Sequence, residues 1–293
     1  MEQGRRMRAH LLLLLTAMIW GSAFVFQKFA TEELSSWFIT AARFTLAAVL
    51  MWVITFPKWG KLDKGYLLGG IITGATMGTA TAVQTVALTM GTTPGKSAFL
   101  TAVYCVIVPF FYWFVSKERP QKNHVFAAVL CLAGIGLISL NGDMTMQDGD
   151  IVTLICGVIY ACDLTAIAWF SKGRDPLLVT TMQITFSAVI GWIGTIATGG
   201  FPSSISLGAA GNVLYLAYLS TALCLFLQSY GLKYTDAAVG TILLSLESVF
   251  GVIFSVLLYH EVVTPRMAVG FAVVFAAVLL SQFRFEKSAG KET

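Results

Sequence analysis

Two stretches decide how this chain is read: residues 84–120, QTVALTMGTTPGKSAFLTAVYCVIVPFFYWFVSKERP, and residues 228–265, QSYGLKYTDAAVGTILLSLESVFGVIFSVLLYHEVVTP. Each begins at a glutamine near the end of one apolar window and crosses a short polar turn. Each then runs the length of a second apolar window to a glutamate, Glu118 or Glu261, and a last apolar helix follows. The layouts match better than the letters do. The copies lie five apolar windows apart, an odd number, so the second enters a bilayer upside down relative to the first. Inverted repeats of this kind place a substrate site near the membrane midplane, where the repeats meet.

Working outward, apolar windows bounded by charge, Gly or Pro fall at 10–30, 34–56, 66–90, 94–116, 122–141, 150–171, 177–198, 209–232, 236–259 and 264–284. A hydrocarbon core about 30 Å thick takes about 20 residues of helix, so each window is long enough to span. Apolar residues make up 57% of the 293 and charged ones 12%, about half the charged share of a soluble domain. The expected fold is an all-α membrane protein of ten transmembrane helices. Residues 1–142 form the first five-helix repeat and residues 143–293 the second, inverted one. The first window resembles a signal peptide in having Arg5, Arg6 and Arg8 before a leucine run. It shows no small-residue cleavage site and stays apolar as far as Phe29, so it reads as a retained helix.

The basic residues set the orientation. With the N-terminus in the cytoplasm, the inner side receives Arg5, Arg6, Arg8, Lys58, Lys61, Lys64, Lys117, Arg119, Lys122, Lys172, Arg174, Lys233, Arg284, Lys287 and Lys291. The outer side receives Lys28, Lys96 and Arg266, together with the acidic loop of Asp143, Asp148 and Asp150. Both termini are therefore expected in the cytoplasm, with the chain in the cytoplasmic membrane. The net charge of +4 is a topology signal and calls for no nucleic-acid partner. Cys105, Cys131, Cys156, Cys162 and Cys224 sit in apolar runs without paired spacing, and His10, His124 and His260 are far apart. No metal or other cofactor is expected from such a pattern.

Three ionisable residues fall deep within spans: Arg43, Asp163 and Glu247. A charge at the centre of a membrane helix costs about 2.5–3.5 kcal/mol on insertion scales, so each must pair or face a wet cavity. Glu247 reads equally as a substrate anchor or proton carrier and as a packing residue bonded to a neighbouring helix. Asp163 suits a cationic or amine-bearing solute or a coupling proton, or a salt bridge to Arg43. Arg43 reads as the structural member of that intramembrane ion pair. Gln84 and Gln228 hold matching places in the repeats and suit either recognition of a zwitterion or helix-to-helix bonding. Trp20, Phe24, Tyr104 and Trp169 are candidate walls for a ligand's cationic or aromatic group. Gly70, Gly74 and Gly78 form a small-xxx-small stripe for close packing, and Pro109 marks a bend in the fourth span.

The segments IWGSAFVFQK (19–28), FITAARFTLAAVL with Arg43, KSAFLTAVYCVIVPFFYWFVSKERP and ILLSLESVFGVIFSVLLYHEVVTP follow the order and pattern of a known family. The chain resembles the drug/metabolite transporter superfamily in its ten-helix EamA-type branch over nearly its whole length. Ser248 stands where that family often carries proline, and Asp163 where it often carries an uncharged residue or His. The resemblance implies an alternating-access carrier for an amino acid or related amine, working as exporter or exchanger through a cavity between the repeats. A channel-like uniporter and a multidrug or organic-cation exporter are the alternatives. An intramembrane enzyme would need a nucleophile–base pair or metal cluster, and none stands out.

Overall fold

The computed structural model describes residues 2–117, 119–140, 145–235 and 237–282. Glu118, Asp143, Arg284, Lys287 and Lys291 lie outside them. Ten helices among the described residues are long and apolar enough to cross a bilayer. They run Gly4–Ala30, Ser36–Lys61, Lys64–Thr89, Pro94–Ser116, Lys122–Ser139, Asp148–Phe170, Pro176–Thr198, Leu207–Lys233, Val239–Leu258 and Pro265–Gln282. We refer to them as spans one to ten. The apolar windows of the sequence correspond to these helices one for one.

Polar side chains set the helix ends. Ser35, Asp63, Asp175 and Ser206 each accept a bond from a backbone N–H in the first turn of the span that follows, satisfying donors a helix leaves orphaned. Asp175 also accepts from Lys58 at 2.8 Å, tying the end of span two to the start of span seven. Within the spans, threonine hydroxyls bond back to the carbonyl four residues earlier, as at Thr40, Thr73, Thr85 and Thr181. Their polarity is thereby met without water. Large apolar side chains such as Leu11, Val49, Val53, Phe126, Leu132 and Ile196 point outward, the surface a lipid-facing bundle presents.

Span three packs along spans seven and six, span two along spans seven and eight, and span one along spans eight and nine. Span four packs against spans six and nine, and spans five and ten pack on each other. The glycine stripe of span three faces span seven inside the chain. A Cβ on Gly74 would lie 2.4 Å from that of Phe186 and 2.7 Å from the carbonyl oxygen of Gln183. Small residues let membrane helices approach this closely, and the contact fixes the height of Gln183 beside span three.

Two spans are interrupted. Span four is helical over Pro94–Thr101 and again over Tyr104–Ser116, with the break at Ala102 and Val103. The helix passes through Pro109, so the interruption falls well before the proline. Span nine breaks at Leu246, between Ala237–Ser245 and Glu247–Leu258. It does so without proline; Ser248 donates instead to the carbonyl of Ala98 in span four at 3.3 Å. Span eight carries a π-helical stretch, Tyr215–Leu223.

Gly74→Val should lower stability by about 1–3 kcal/mol, the cost of forcing atoms into a filled contact, seen as a lower unfolding midpoint in detergent. An unchanged midpoint would contradict the packing of span three on span seven.

Candidate functional site

A cavity of about 340 Å³ lies between spans one, two, three, four, six, seven, eight and nine, in the size range of small-molecule sites. Spans five and ten contribute nothing to its lining. Trp20, Phe24, Gln84, Tyr104, Asp163, Gln228, Glu247 and Arg43 all line it. The spans also bring in Gln27, Tyr160, Gln183, Ser220 and Thr221, which the sequence reading had not selected. Trp169 is placed elsewhere: it is 46% exposed on the outer face of span six, with the Lys172 ammonium 4.8 Å from its ring. That is the setting of a membrane-interface aromatic.

Arg43 anchors one wall. Its Nε donates to Thr221 Oγ1 at 2.7 Å, one terminal nitrogen to Ser220 Oγ at 3.1 Å and the other to Gln27 Oε1 at 3.3 Å. Both hydroxyls come from the π-helical stretch of span eight, where Thr221 reaches back to the carbonyl of Leu216, five residues earlier, at 2.8 Å. The Ser220 carbonyl accepts the Trp20 indole N–H at 2.7 Å. Gln27 continues the chain of bonds by donating to Thr85 at 2.7 Å and to Gln84 at 3.4 Å; Gln84 donates in turn to Thr101 at 3.2 Å. Spans one, two, three, four and eight are joined by this one network.

The expected salt bridge between Arg43 and Asp163 is not formed. Arg43 spends its bonds on neutral oxygens, and Asp163 is met by Thr76 at 2.8 Å and by the Gln183 amide at 3.1 Å to each carboxylate oxygen. Asp163 thus lies at the buried junction of spans three, six and seven, 3% exposed. Nearby, Thr81 and Tyr160 share a bond of 3.0 Å, and the Tyr104 and Tyr160 rings are 6.3 Å apart.

Glu247 differs from both. It opens the second half of span nine, lines the cavity beside Tyr104 and Cys105, and feels the Arg43 charge through space. Among the described residues its carboxylate has no hydrogen-bond partner, and the Gln228 amide has none either. The lining continues past Gln228 to Leu232, Thr241 and Ile167, near the span ends on the face that carries the N-terminus. Toward the opposite face it stops at Gln27, Gln84 and Thr101. Among the described residues the lining therefore reaches toward the N-terminal face and is closed over on the other.

Gln27 was legible in one respect, since it sits two helical turns beyond Trp20. A lone amide in an apolar span, Gln183, carried the same signal. Ser220 and Thr221 had none, because hydroxyls are common in membrane helices and the π-helical stretch that presents them leaves no mark in the sequence.

The EamA-like transporter family model matches this chain twice, at residues 7–140 and 147–283. An uncharacterized transporter of Archaeoglobus fulgidus is 28% identical over 286 residues, covering 97% of this chain and 88% of that protein. The uncharacterized transporter YetK of Bacillus subtilis is 24% identical over 292 residues, 94% of this chain and 87% of its own. A crystal structure at 16% identity superposes with a TM-score of 0.66 over 93% of this chain and 96% of the other, a likeness of fold. The ten spans, the polar cavity within them and the doubly matched sequence converge: the chain belongs to the EamA-like transporter family.

Proposed function

We propose that this chain is an alternating-access carrier that moves a small polar metabolite bearing an amine, an amino acid or related amine, across the cytoplasmic membrane as exporter or exchanger. The observation that carries the proposal is Glu247. The other two charged side chains of the cavity, Arg43 and Asp163, are bonded to neighbours, whereas among the described residues this carboxylate faces the open space with its lone pairs unused. An intramembrane carboxylate left so is costly unless a solute, a proton or water meets it. Arg43 supplies the opposite pole. A guanidinium has five N–H donors and Arg43 commits three of them. The remaining two suit a solute carboxylate while Glu247 takes the amine, with Gln228 and Tyr104 between them and Trp20 and Phe24 as walls.

The alternating-access part rests on an inverted-repeat reading of the two halves, 1–142 and 143–293. Exchanging each span for the one five later exchanges the packing pairs three–seven with eight–two, three–six with eight–one, and one–nine with six–four. The pairs two–seven, four–nine and five–ten map onto themselves. The breaks in spans four and nine fall just ahead of Tyr104 and Glu247, so each half contributes one broken span to the cavity. Two similar halves around one site can rock between openings on either face. A second reading has one specific support: the two carboxylates of the lining outnumber its one guanidinium, and with the aromatic rings around them they also suit an organic cation.

Purified protein screened by thermal shift against amino acids, amines, purines and sugars should be stabilised by an amino acid or amine, since a ligand of the folded state raises its apparent stability by mass action. Glu247→Gln should abolish that shift and lower flux in proteoliposomes at least tenfold while folded yield is kept. Full flux in Glu247→Gln removes the carboxylate from the site. A carboxylate-free amine that outperforms the matching amino acid, with Arg43→Gln unchanged in binding, favours the organic-cation reading instead.

The same proposal puts both termini in the cytoplasm. Epitope tags at each end should be protected from protease in intact cells and cleaved after permeabilisation; a tag cleaved in intact cells contradicts the orientation.

A further inference from the structure

The roof of the cavity, on the face away from the N-terminus, is built from a small set of bonds, four of which cross between residues 1–142 and 143–293. Glu261 lies just past the end of span nine, 8% exposed. It follows His260, whose backbone is left-handed at φ 56°, a conformation uncommon outside glycine. One Glu261 oxygen accepts the Thr93 hydroxyl; the other accepts the Gly95 N–H at 2.9 Å and the Ser255 hydroxyl. Thr93 and Gly95 are the N-cap and first turn of span four, where free N–H groups and the helix dipole favour an anion. On the other side of the same segment, Thr92 and Lys96 donate to Asp150 in the first turn of span six at 2.9 and 3.0 Å. The start of span four is thus hung between two carboxylates of the second half.

We infer that Glu261 is the pin of a gate, holding the first half of span four against the second repeat and so closing the cavity on this face. The inference rests on the alternating-access reading above. Three features fit a pin that must also release. Glu261 is met by two hydroxyls and an N–H, with no cation opposite it among the described residues, so water can replace its partners when the halves part. The bonds fall at the tip of a short helix, Pro94–Thr101, that is separated from the rest of span four by the break at Ala102 and Val103, so the tip can move without carrying the whole span. The fit is close: a Cβ on Gly95 would lie 2.6 Å from Glu261 Oε2, so a side chain there has to displace the carboxylate. Glu261 touches no part of the cavity lining, so its role is to position span four.

The test is a distance across the gate. Spin labels on Thr89→Cys and Val262→Cys, both exposed on this face, in a chain whose native cysteines are replaced by alanine and held in lipid nanodiscs, should give one narrow distance. Glu261→Gln, and independently Gly95→Ala, should add a population longer by roughly 5 Å or more, the scale of a one-turn shift between packed elements. Thr93→Val, which removes one bond, should add less of it and covers the case in which the first two fail to fold. An unchanged distribution in the variants that fold overturns the gate. The measurement uses no solute, so an unchanged distance with transport intact counts against the gate alone. Absence of solute binding and flux counts against the carrier reading whatever the distance shows.

Discussion

Arg43 is a guanidinium inside the hydrophobic thickness of a membrane, and the bundle is arranged to satisfy it. It has no carboxylate at bonding distance. Its donors go to Gln27 on span one and to Ser220 and Thr221 on span eight, which requires both spans to stand close to span two at one height. A polar group in hydrocarbon must find its partners within the protein, and here that requirement draws in spans three and four through Gln84 and Thr101. Charge-assisted bonds to neutral oxygens keep the cation in place without neutralising it. The cavity beside it therefore retains a positive pole facing the carboxylate of Glu247.

The second carboxylate shows the contrasting case. Asp163 is more fully buried than Glu247 and is spoken for by Thr76 and Gln183, so it ties spans three, six and seven together at the edge of the cavity. Gly74 makes that arrangement possible, because only a residue without a side chain lets span seven bring Gln183 so near to span three. Three intramembrane ionisable groups thus have three different tasks: Arg43 binds the wall together, Asp163 joins the neighbouring wall, and Glu247 stays open to the space between them. The roof of Glu261 and Asp150 sits above these groups, made largely of bonds between halves.

Much of this was legible in the sequence. Length and hydropathy located every span, with ends off by up to six residues, since a bilayer imposes a similar length on all of them. The residues expected at the site were chosen because polar groups in apolar windows are expensive, and that argument recovered Arg43, Asp163, Glu247 and both glutamines as cavity residues. What it could not give was the rotation of each helix. A span that meets lipid on one side and apolar neighbours on the other has little amphipathic signal, so Trp169 looked as eligible as Trp20 although it faces outward over Lys172. Partner choice was equally hidden. Arg43 and Asp163 were natural complements on charge alone, and only the placement of Thr76, Gln183 and the π-helical stretch of span eight reveals that each is satisfied elsewhere. Nor did the proline pattern locate the breaks: span four passes through Pro109 unbroken, and span nine breaks with Ser248 in place of a proline.

A carrier whose site opens to one face at a time exchanges solute, and that behaviour tests the account most directly. Proteoliposomes loaded with an unlabelled amino acid that stabilises the protein, then diluted into the same amino acid in tritiated form at trace level, should accumulate label transiently above its equilibrium value, with saturable dependence on the internal load. Label that enters only to equilibrium, with a rate linear in concentration and indifferent to the internal load, would mean a pore in place of alternating access.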